Sequence, residues 1–243
     1  MTVINRKHFF VYLKSRKTAG TAVEMHLLGK TQLGGDIWHT AQEAGQQGIA
    51  FRRRPLILGA IGSRLFASRE LAQRYLWRYR IEEHHTAEDL ARLLGSFWTR
   101  ALKVTSIRNP WDLMVSAWAW RKGGRNGTSA PIGATFDEWA RACIGEDIEW
   151  RERVQGYDPK ILIHPFVYVN GVNSIDFVIR QESISHDLDK LGQKLGITIP
   201  AIDVKTKVSE RRKDYRFYYN DELCDAIARY FSDIITEFGY TFH

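Results

Sequence analysis

The chain has 243 residues, with 35 Lys and Arg against 28 Asp and Glu, for a formal net charge of +7. Hydrophobic residues at 44% and charged residues at 26% match an ordinary globular chain with a buried core, which excludes a disordered tail, a collagen-like array and a coiled coil. The basic balance suits nucleic acid, an anionic membrane, a polyanionic sugar or a phosphate-rich small ligand equally, so the position of the charge has to decide among them.

The first ten residues carry charge but no apolar stretch of signal-peptide type, and the longest apolar runs, such as 56–61, are too short to cross a bilayer. The chain therefore reads as soluble and cytoplasmic. No Gly-, Pro- or Ser-rich linker and no repeat divides it, which predicts a single domain over residues 1–243. Cys143 and Cys224 stand in no redox or metal-ligand spacing, so reduced thiols and no metal are expected. In chain order the pattern predicts a strand over 8–13, a helix from about 21, an apolar run at 56–61, and helices over 68–79 and 86–94. A strand over 102–107, helices over 110–120 and 136–142, a strand over 176–180, and helices over 185–195 and 221–238 follow. Strands alternating with helices predict an α/β domain with a mostly parallel central sheet flanked by helices. Ligands of such sheets bind beyond the carboxyl ends of the strands, so function is sought there.

The first predicted strand stops at Lys14-Ser15-Arg16-Lys17-Thr18-Ala19-Gly20-Thr21-Ala22. Cations, hydroxyls and small residues between a strand and a helix make an anion site. Ala19 and Gly20 let backbone N–H groups approach a phosphate, the helix start adds its positive end, and Lys17 adds a full charge. The same loop also reads as a solvated basic turn with a Thr cap. Gly29-Lys30-Thr31 mimics the tail of the nucleoside-triphosphatase loop, but Glu24 occupies the position of the required glycine, and the triplet follows the helix rather than preceding it. It reads as a helix stop.

The strand over 102–107 ends in Arg108-Asn109-Pro110-Trp111-Asp112, followed by Ser116. Asn109 suits an N-cap, Pro110 the first helical position, and Asp112 the first turn, where a carboxylate complements the helix dipole. Arg108 is thus held at a strand-to-helix corner, and Ser116 shares a helix face with Asp112. As structure alone, this is a well-capped helix beside an exposed arginine. The cluster Trp111, Trp118, Trp120 reads as core, because its spacing places only part of it on one face.

Lys17-Thr18-Ala19-Gly20-Thr21 after a first strand, with Arg108-Asn109-Pro110 and Ser116 eight residues after the arginine, resembles the paired signatures of the sulfotransferase superfamily. The likeness is closest to the heparan sulfate 2-O-sulfotransferase branch and its bacterial carbohydrate sulfotransferase relatives. Ala22 stands where that branch usually has Ser, and Leu113 where it often has Arg; neither change removes an essential phosphate contact. Phe177-Val178-Ile179-Arg180-Gln181-Glu182 resembles the family's F-[IV]-x-R-x-E segment, and residues 211–219 and 238–242 resemble its C-terminal region.

The resemblance implies a P-loop-like nucleotide-binding fold and an enzyme that moves a sulfuryl group from 3′-phosphoadenosine 5′-phosphosulfate (PAPS) to an acceptor hydroxyl, leaving 3′-phosphoadenosine 5′-phosphate (PAP). On that implication Lys14, Lys17, Thr18, Ala19, Gly20, Thr21 and Ala22 hold the phosphosulfate end. Arg108 and Ser116 hold the 3′-phosphate, and Arg211, Arg212 and Lys213 close over the nucleotide. The last three also read as a solvated charge run. The acceptor implied is a saccharide, with no metal, nucleic acid or membrane involved.

Such a transfer needs a base for the acceptor proton and a cation for the departing phosphate oxygen, a task that suits Lys17. In Glu82-Glu83-His84-His85-Thr86-Ala87-Glu88-Asp89-Leu90, Thr86 and Asp89 form a capping box, which places both histidines just ahead of a helix N-terminus, where the dipole disfavours the charged ring. The segment resembles the H-x-[ST]-A-x-[ED]-[IL] pattern of bacterial members, which makes His84 the expected base and His85 the reserve, with Glu83 a further carboxylate option. Polar helix-entry histidines are the plain structural alternative. Arginines from Arg52 to Arg80, interleaved with Tyr75, Trp77 and Tyr79, could meet an acidic saccharide or form a solvated face. Two rival functions remain at this level. A phosphate-loop nucleotide kinase lacks its Walker loop here, and a basic nucleic-acid-binding domain lacks a recognition motif.

Overall fold

The molecule begins with a hairpin. Strand β1 (Thr2–Asn5) turns through residues 6–9 into β2 (Phe10–Leu13), pairing antiparallel from Thr2↔Leu13 to Asn5↔Phe10. The computed structural model describes residues 2–29, 36–38, 85–122, 134–147, 154, 157–202 and 214–242. The strand predicted over 8–13 therefore starts at Phe10, with an unpredicted strand before it. Phe9 closes the turn at φ +52° and spends its ring on Phe97, centroids 5.7 Å apart. Its apolarity belongs to a tertiary contact and not to the strand.

Helix α1 (Gly20–Gly29) follows, then β3 (Asp36–Trp38), antiparallel to β1. Helices α2 (Ala87–Leu94) and α3 (Ser96–Arg100) lead into β4 (Leu102–Ile107), which runs parallel to β2, and β7 (Phe177–Arg180) runs parallel to β4. The sheet order is β3-β1-β2-β4-β7. Only β1 opposes the common direction, so the sheet is mostly parallel and flanked by helices, as the alternation predicted.

Successive residues of the central strands serve opposite layers, the period-2 pattern of a sheet buried on both faces. Val3, Phe10, Tyr12, Val104 and Ile179 pack against α1 and α7 (Ile184–Leu195). Ile4, Val11 and Leu13 pack against α2, α3 and Phe166 of α6 (His164–Val167). A third cluster gathers around α4 (Pro110–Lys122), whose residues from Pro110 to Trp118 are all buried, as expected of a helix surrounded by others. Its neighbours are α5 (Phe136–Ile144), α8 (Asp221–Tyr230) and α9 (Ser232–Phe238).

Two further differences from the sequence reading have local causes. The closing helix predicted over 221–238 breaks at Phe231, a fully buried residue at φ −99° and ψ 23° between α8 and α9. A small hairpin, β5 (Tyr168–Val169) and β6 (Val172–Asn173), turns on Asn170 and Gly171 at φ +50° and +76°; the Asn-Gly pair is a strong hairpin signal that the sequence carried openly. Helix α1 is described as far as Gly29, and the residues after it, on which the expected helix stop depends, lie outside the described residues. Both thiols are free. Among the described residues no helix is long and apolar enough to cross a membrane. The run at 56–61 and the helix predicted over 68–79 lie outside the described residues.

Candidate functional site

Parallel pairing of β2 with β4, Leu13 opposite Thr105, brings the two predicted strand ends side by side at the carboxyl edge of the sheet. Thr105 Oγ1 donates to the Leu13 carbonyl at 2.8 Å, Ser15 Oγ donates to the Ser106 carbonyl, and the Tyr12 and Ser106 hydroxyls meet at 2.5 Å. The basic loop and the arginine corner are thereby one structure.

Within the loop, Lys17 and Ala19 take left-handed backbone angles, φ +64° and +58°. Left-handed residues among right-handed ones turn successive N–H groups to one side, forming a concave nest for an anion, and such residues cost of order 1 kcal/mol each when they are not glycine. Ser15 Oγ and Thr18 Oγ1 meet at 2.7 Å. α1 then starts with the amides of Ala22 and Val23 donating to the Ala19 carbonyl, and no acidic residue in its first turn cancels the positive helix end. Arg16 is exposed, Lys17 and Ala19 are half-buried, and Lys14, Ser15, Thr18, Gly20, Thr21 and Ala22 are buried. The cationic side chains the loop leaves accessible are therefore Arg16 and, in part, Lys17, while the Thr18 hydroxyl serves the loop's own fold.

Two residues carry contacts that the sequence did not show. Lys14 turns inward, its Nζ 3.3 Å from Glu24 Oε2 in a wholly buried pair. Gly20 is required from behind: a Cβ there would stand 2.8 Å from Lys14 Cγ and 3.0 Å from the Ser15 carbonyl oxygen.

Arg108 is buried rather than exposed. Its Nε and Nη2 donate to Asp112 Oδ2 at 2.8 and 2.6 Å, and its Nη1 donates to the Lys17 carbonyl at 3.0 Å. The guanidinium thus ties the second corner to the left-handed residue of the first. Ser116, also buried, lies one turn beyond Asp112, and Trp120 one turn beyond Ser116 on the same face. Lys17 Nζ stands 5.3 Å from the Trp120 ring centroid. Trp111 and Trp118 are core as expected, but Trp120 belongs to this site; continuing the four-residue spacing past Ser116 would have found it. Nearby, Arg121 lies 3.6 Å over the Tyr157 ring, whose hydroxyl burial pushes up to about 12 against the pull of Arg121 and Arg16.

The remaining motif segments brace this corner. Asn109 caps α4 through Oδ1 to the Trp111 amide, its own amide donates to Glu182 Oε1 at 2.6 Å, and its Nδ2 donates to the Thr241 carbonyl at 2.8 Å. Arg180 Nη2 donates to the Phe238 carbonyl at 2.6 Å, with its guanidinium 4.9 Å from the Tyr240 ring centroid. The segments over 177–182 and 238–242 therefore converge on Asn109.

Of the base candidates, His85 is described; Glu83 and His84 lie outside the described residues, as do Arg211, Arg212, Lys213 and the arginines from Arg52 to Arg80. The capping box is present: Asp89 N donates to Thr86 Oγ1 at 3.0 Å, and Thr86 N donates to Asp89 Oδ2 at 3.3 Å. Burial raises the Asp89 carboxyl, but the Thr86 hydroxyl and amide, with His85 and Arg92 nearby, hold it below the ordinary aspartate range. His85 Nδ1 faces Asp89 Oδ2 at 3.8 Å, so the ring has a carboxylate to orient it. His85 stands two residues ahead of the first residue of α2, Ala87. The loop reaches the same region through the Arg16 amide, which donates to the Leu162 carbonyl just before α6, a helix packed on α2.

A groove of about 1170 Å³ opens between α2, α6 and α9, lined by Glu88, His164, Tyr168, Asp233 and Glu237 among others. Burial holds the His164 ring below its ordinary value despite Asp233 at 2.9 Å. Among the described residues, none of the predicted site residues lines this groove.

Compared with protein families, curated proteins and solved structures, the chain matches no family model, no curated protein and no solved structure.

Proposed function

We propose that this chain is a PAPS-dependent sulfotransferase with a P-loop-like nucleotide-binding fold, acting on an acceptor hydroxyl, with a carbohydrate as the acceptor class. The observation that carries the reading is the union of two cationic corners at one sheet edge, the left-handed basic loop at Lys17 and buried Arg108, linked by the 3.0 Å bond from Arg108 Nη1 to the Lys17 carbonyl. An anion with charge at both ends suits such a pair. The donor fits the residues present: backbone amides over Lys17, Thr18, Ala19, Gly20, Thr21 and Ala22 for the phosphosulfate, and Arg108 with Ser116 for the 3′-phosphate. The resemblance assigns Arg211, Arg212 and Lys213 to the nucleotide as well, and the proposed reaction uses no metal.

In the reaction the acceptor oxygen forms a bond to sulfur, and the bond from sulfur to the 5′-phosphate oxygen breaks. The electron pair of that bond stays on the phosphate oxygen. Lys17 and the loop amides stabilise the charge that develops there, a preorganised electrostatic contribution. The acceptor proton passes to His84, with His85 as its adjacent alternative. The products are a sulfate ester and PAP.

Thermal melting tests the reading first. PAP should raise the melting temperature, and ATP with magnesium or an oligonucleotide should raise it far less. Stronger stabilisation by ATP or by oligonucleotide would overturn the reading in favour of a phosphotransferase or a nucleic-acid binder. Sulfur-labelled PAPS offered with a panel of glycans and small hydroxyl compounds then identifies the acceptor. His84→Ala should abolish most turnover while leaving PAP affinity unchanged. Arg108→Ala should lose PAP affinity, and Arg108→Lys should lose it too while keeping a charge against buried Asp112, because a lysine cannot reproduce the guanidinium fork. Calorimetric affinity equal to the parent in both Arg108 variants would remove the 3′-phosphate role.

A further inference from the structure

We propose that Trp120 is a positioning residue for Lys17, its indole face holding the ammonium where the transfer step uses it. The inference rests on the sulfotransferase reading above and adds a residue to it. The Lys17 backbone is fixed at both levels that matter: its φ of +64° sets the direction in which the side chain leaves, and Arg108 Nη1 holds its carbonyl at 3.0 Å. The side chain itself is a point charge on a flexible stem, which unlike a guanidinium fork has no planar geometry to preset its aim. Trp120 supplies the aim. Its ring centroid is 5.3 Å from Lys17 Nζ, inside the range at which a ring quadrupole attracts a cation.

The indole is carried on a rigid support. α4 is buried continuously from Pro110 to Trp118, and the face of Asp112, Ser116 and Trp120 runs along the loop, so that one helix presents the Arg108 partner, the candidate phosphate hydroxyl and the lysine rest. The other two tryptophans of α4 behave differently. Trp111 is buried against Phe242 and Trp118 against Trp139, whereas Trp120 is half-buried with its face to a cation.

The test compares Trp120→Phe and Trp120→Leu in the full chain, with kcat and acceptor KM for sulfuryl transfer and calorimetric affinity for PAP. Trp120→Leu should lower kcat about tenfold, the size expected from losing one partly desolvated cation–π contact, with acceptor KM unchanged. Trp120→Phe should recover most of that loss, because it keeps a π face. In a Lys17→Met background Trp120→Leu should have no further effect on kcat. Turnover of Trp120→Leu equal to the parent, or Phe as poor as Leu at equal melting temperature, overturns the inference. Should Trp120→Leu fail to fold, ring-fluorinated tryptophans at this position replace it: kcat should fall stepwise with fluorination, and a flat series overturns the inference. A parent that neither binds PAP nor transfers sulfuryl overturns the sulfotransferase reading itself. A parent that does both beside an unimpaired Trp120→Leu overturns the role of Trp120 alone.

Discussion

Gly20 sits where three groups from the loop and its strand crowd one carbon position. A Cβ there would stand 2.8 Å from Lys14 Cγ, 3.0 Å from the Ser15 carbonyl oxygen and 3.3 Å from the Tyr12 hydroxyl. The lysine methylene can shift, but the carbonyl belongs to the backbone that Ser15 pins to Ser106. Gly20→Ala should therefore cost about 1–3 kcal/mol, the usual range for overpacking. In a chain of this size that is a melting temperature lowered by roughly 2–4 °C per kcal/mol, and PAP affinity should fall with it because the loop must open. A Gly20→Ala chain that melts and binds like the parent would show that the loop tolerates the extra carbon. The residue types of this candidate site were legible in the sequence, Lys17 as a cation between a strand and a helix, and Arg108 with Ser116 through the resemblance in their spacing. Their engagements were not. Lys14 with Glu24, Lys17 with Trp120 and Asn109 with Glu182 join elements that only tertiary folding brings together.

The capping box at the start of α2 is an element-scale feature that the sequence did show, because Thr86 and Asp89 act on each other within one turn. Thr86→Ala should lower stability by about 1 kcal/mol at neutral pH, measured by thermal or urea unfolding. The pH dependence has a definite sign. Asp89 is held below its unfolded value, so the cap contributes in full above the ordinary aspartate range and is lost as pH falls through the lower value of the folded chain. The difference between parent and Thr86→Ala should therefore shrink on acidification, and a difference that stays constant down to acid unfolding would contradict the assignment. Elements defined by such local chemistry were read closely: the strand predicted over 102–107 is β4, and α4 starts at Pro110 as predicted. β1, by contrast, holds only Val3 and Ile4 as apolar signal, and these face opposite layers, so no periodic pattern of useful length exists. The break at Phe231 was invisible for a related reason. The apolar spacing continues across it, and the departure from helical angles is fixed by the third core cluster.

At the scale of the whole molecule, the end of the chain is a structural part of the arginine corner. Phe242 places its ring 5.5 Å from Trp111, 5.7 Å from Tyr215 and 5.4 Å from Tyr219, all edge-on, while its carbonyl accepts from the Tyr215 hydroxyl at 2.9 Å. The preceding Thr241 carbonyl accepts from Asn109, the residue next to Arg108. Burial pushes the Tyr240 phenol up, with Glu182 adding to the effect, and Glu182 also holds the Asn109 amide. Phe242→Ala should remove three edge contacts from a half-buried ring, a loss of about 2 kcal/mol, below the range for a fully buried phenylalanine. The same variant should weaken PAP binding well below the melting temperature, because Asn109 loses the packing that keeps the Thr241 carbonyl in place. Ile227→Val in the same core cluster supplies the control: it should lower stability by about 1 kcal/mol without touching this corner. Equal PAP affinity in parent and Phe242→Ala would mean that the C-terminal segment only adds stability. An affinity that falls for Phe242→Ala and holds for Ile227→Val locates the effect at Asn109 and Arg108, and makes the last residues of the described chain part of the framework that aims the guanidinium.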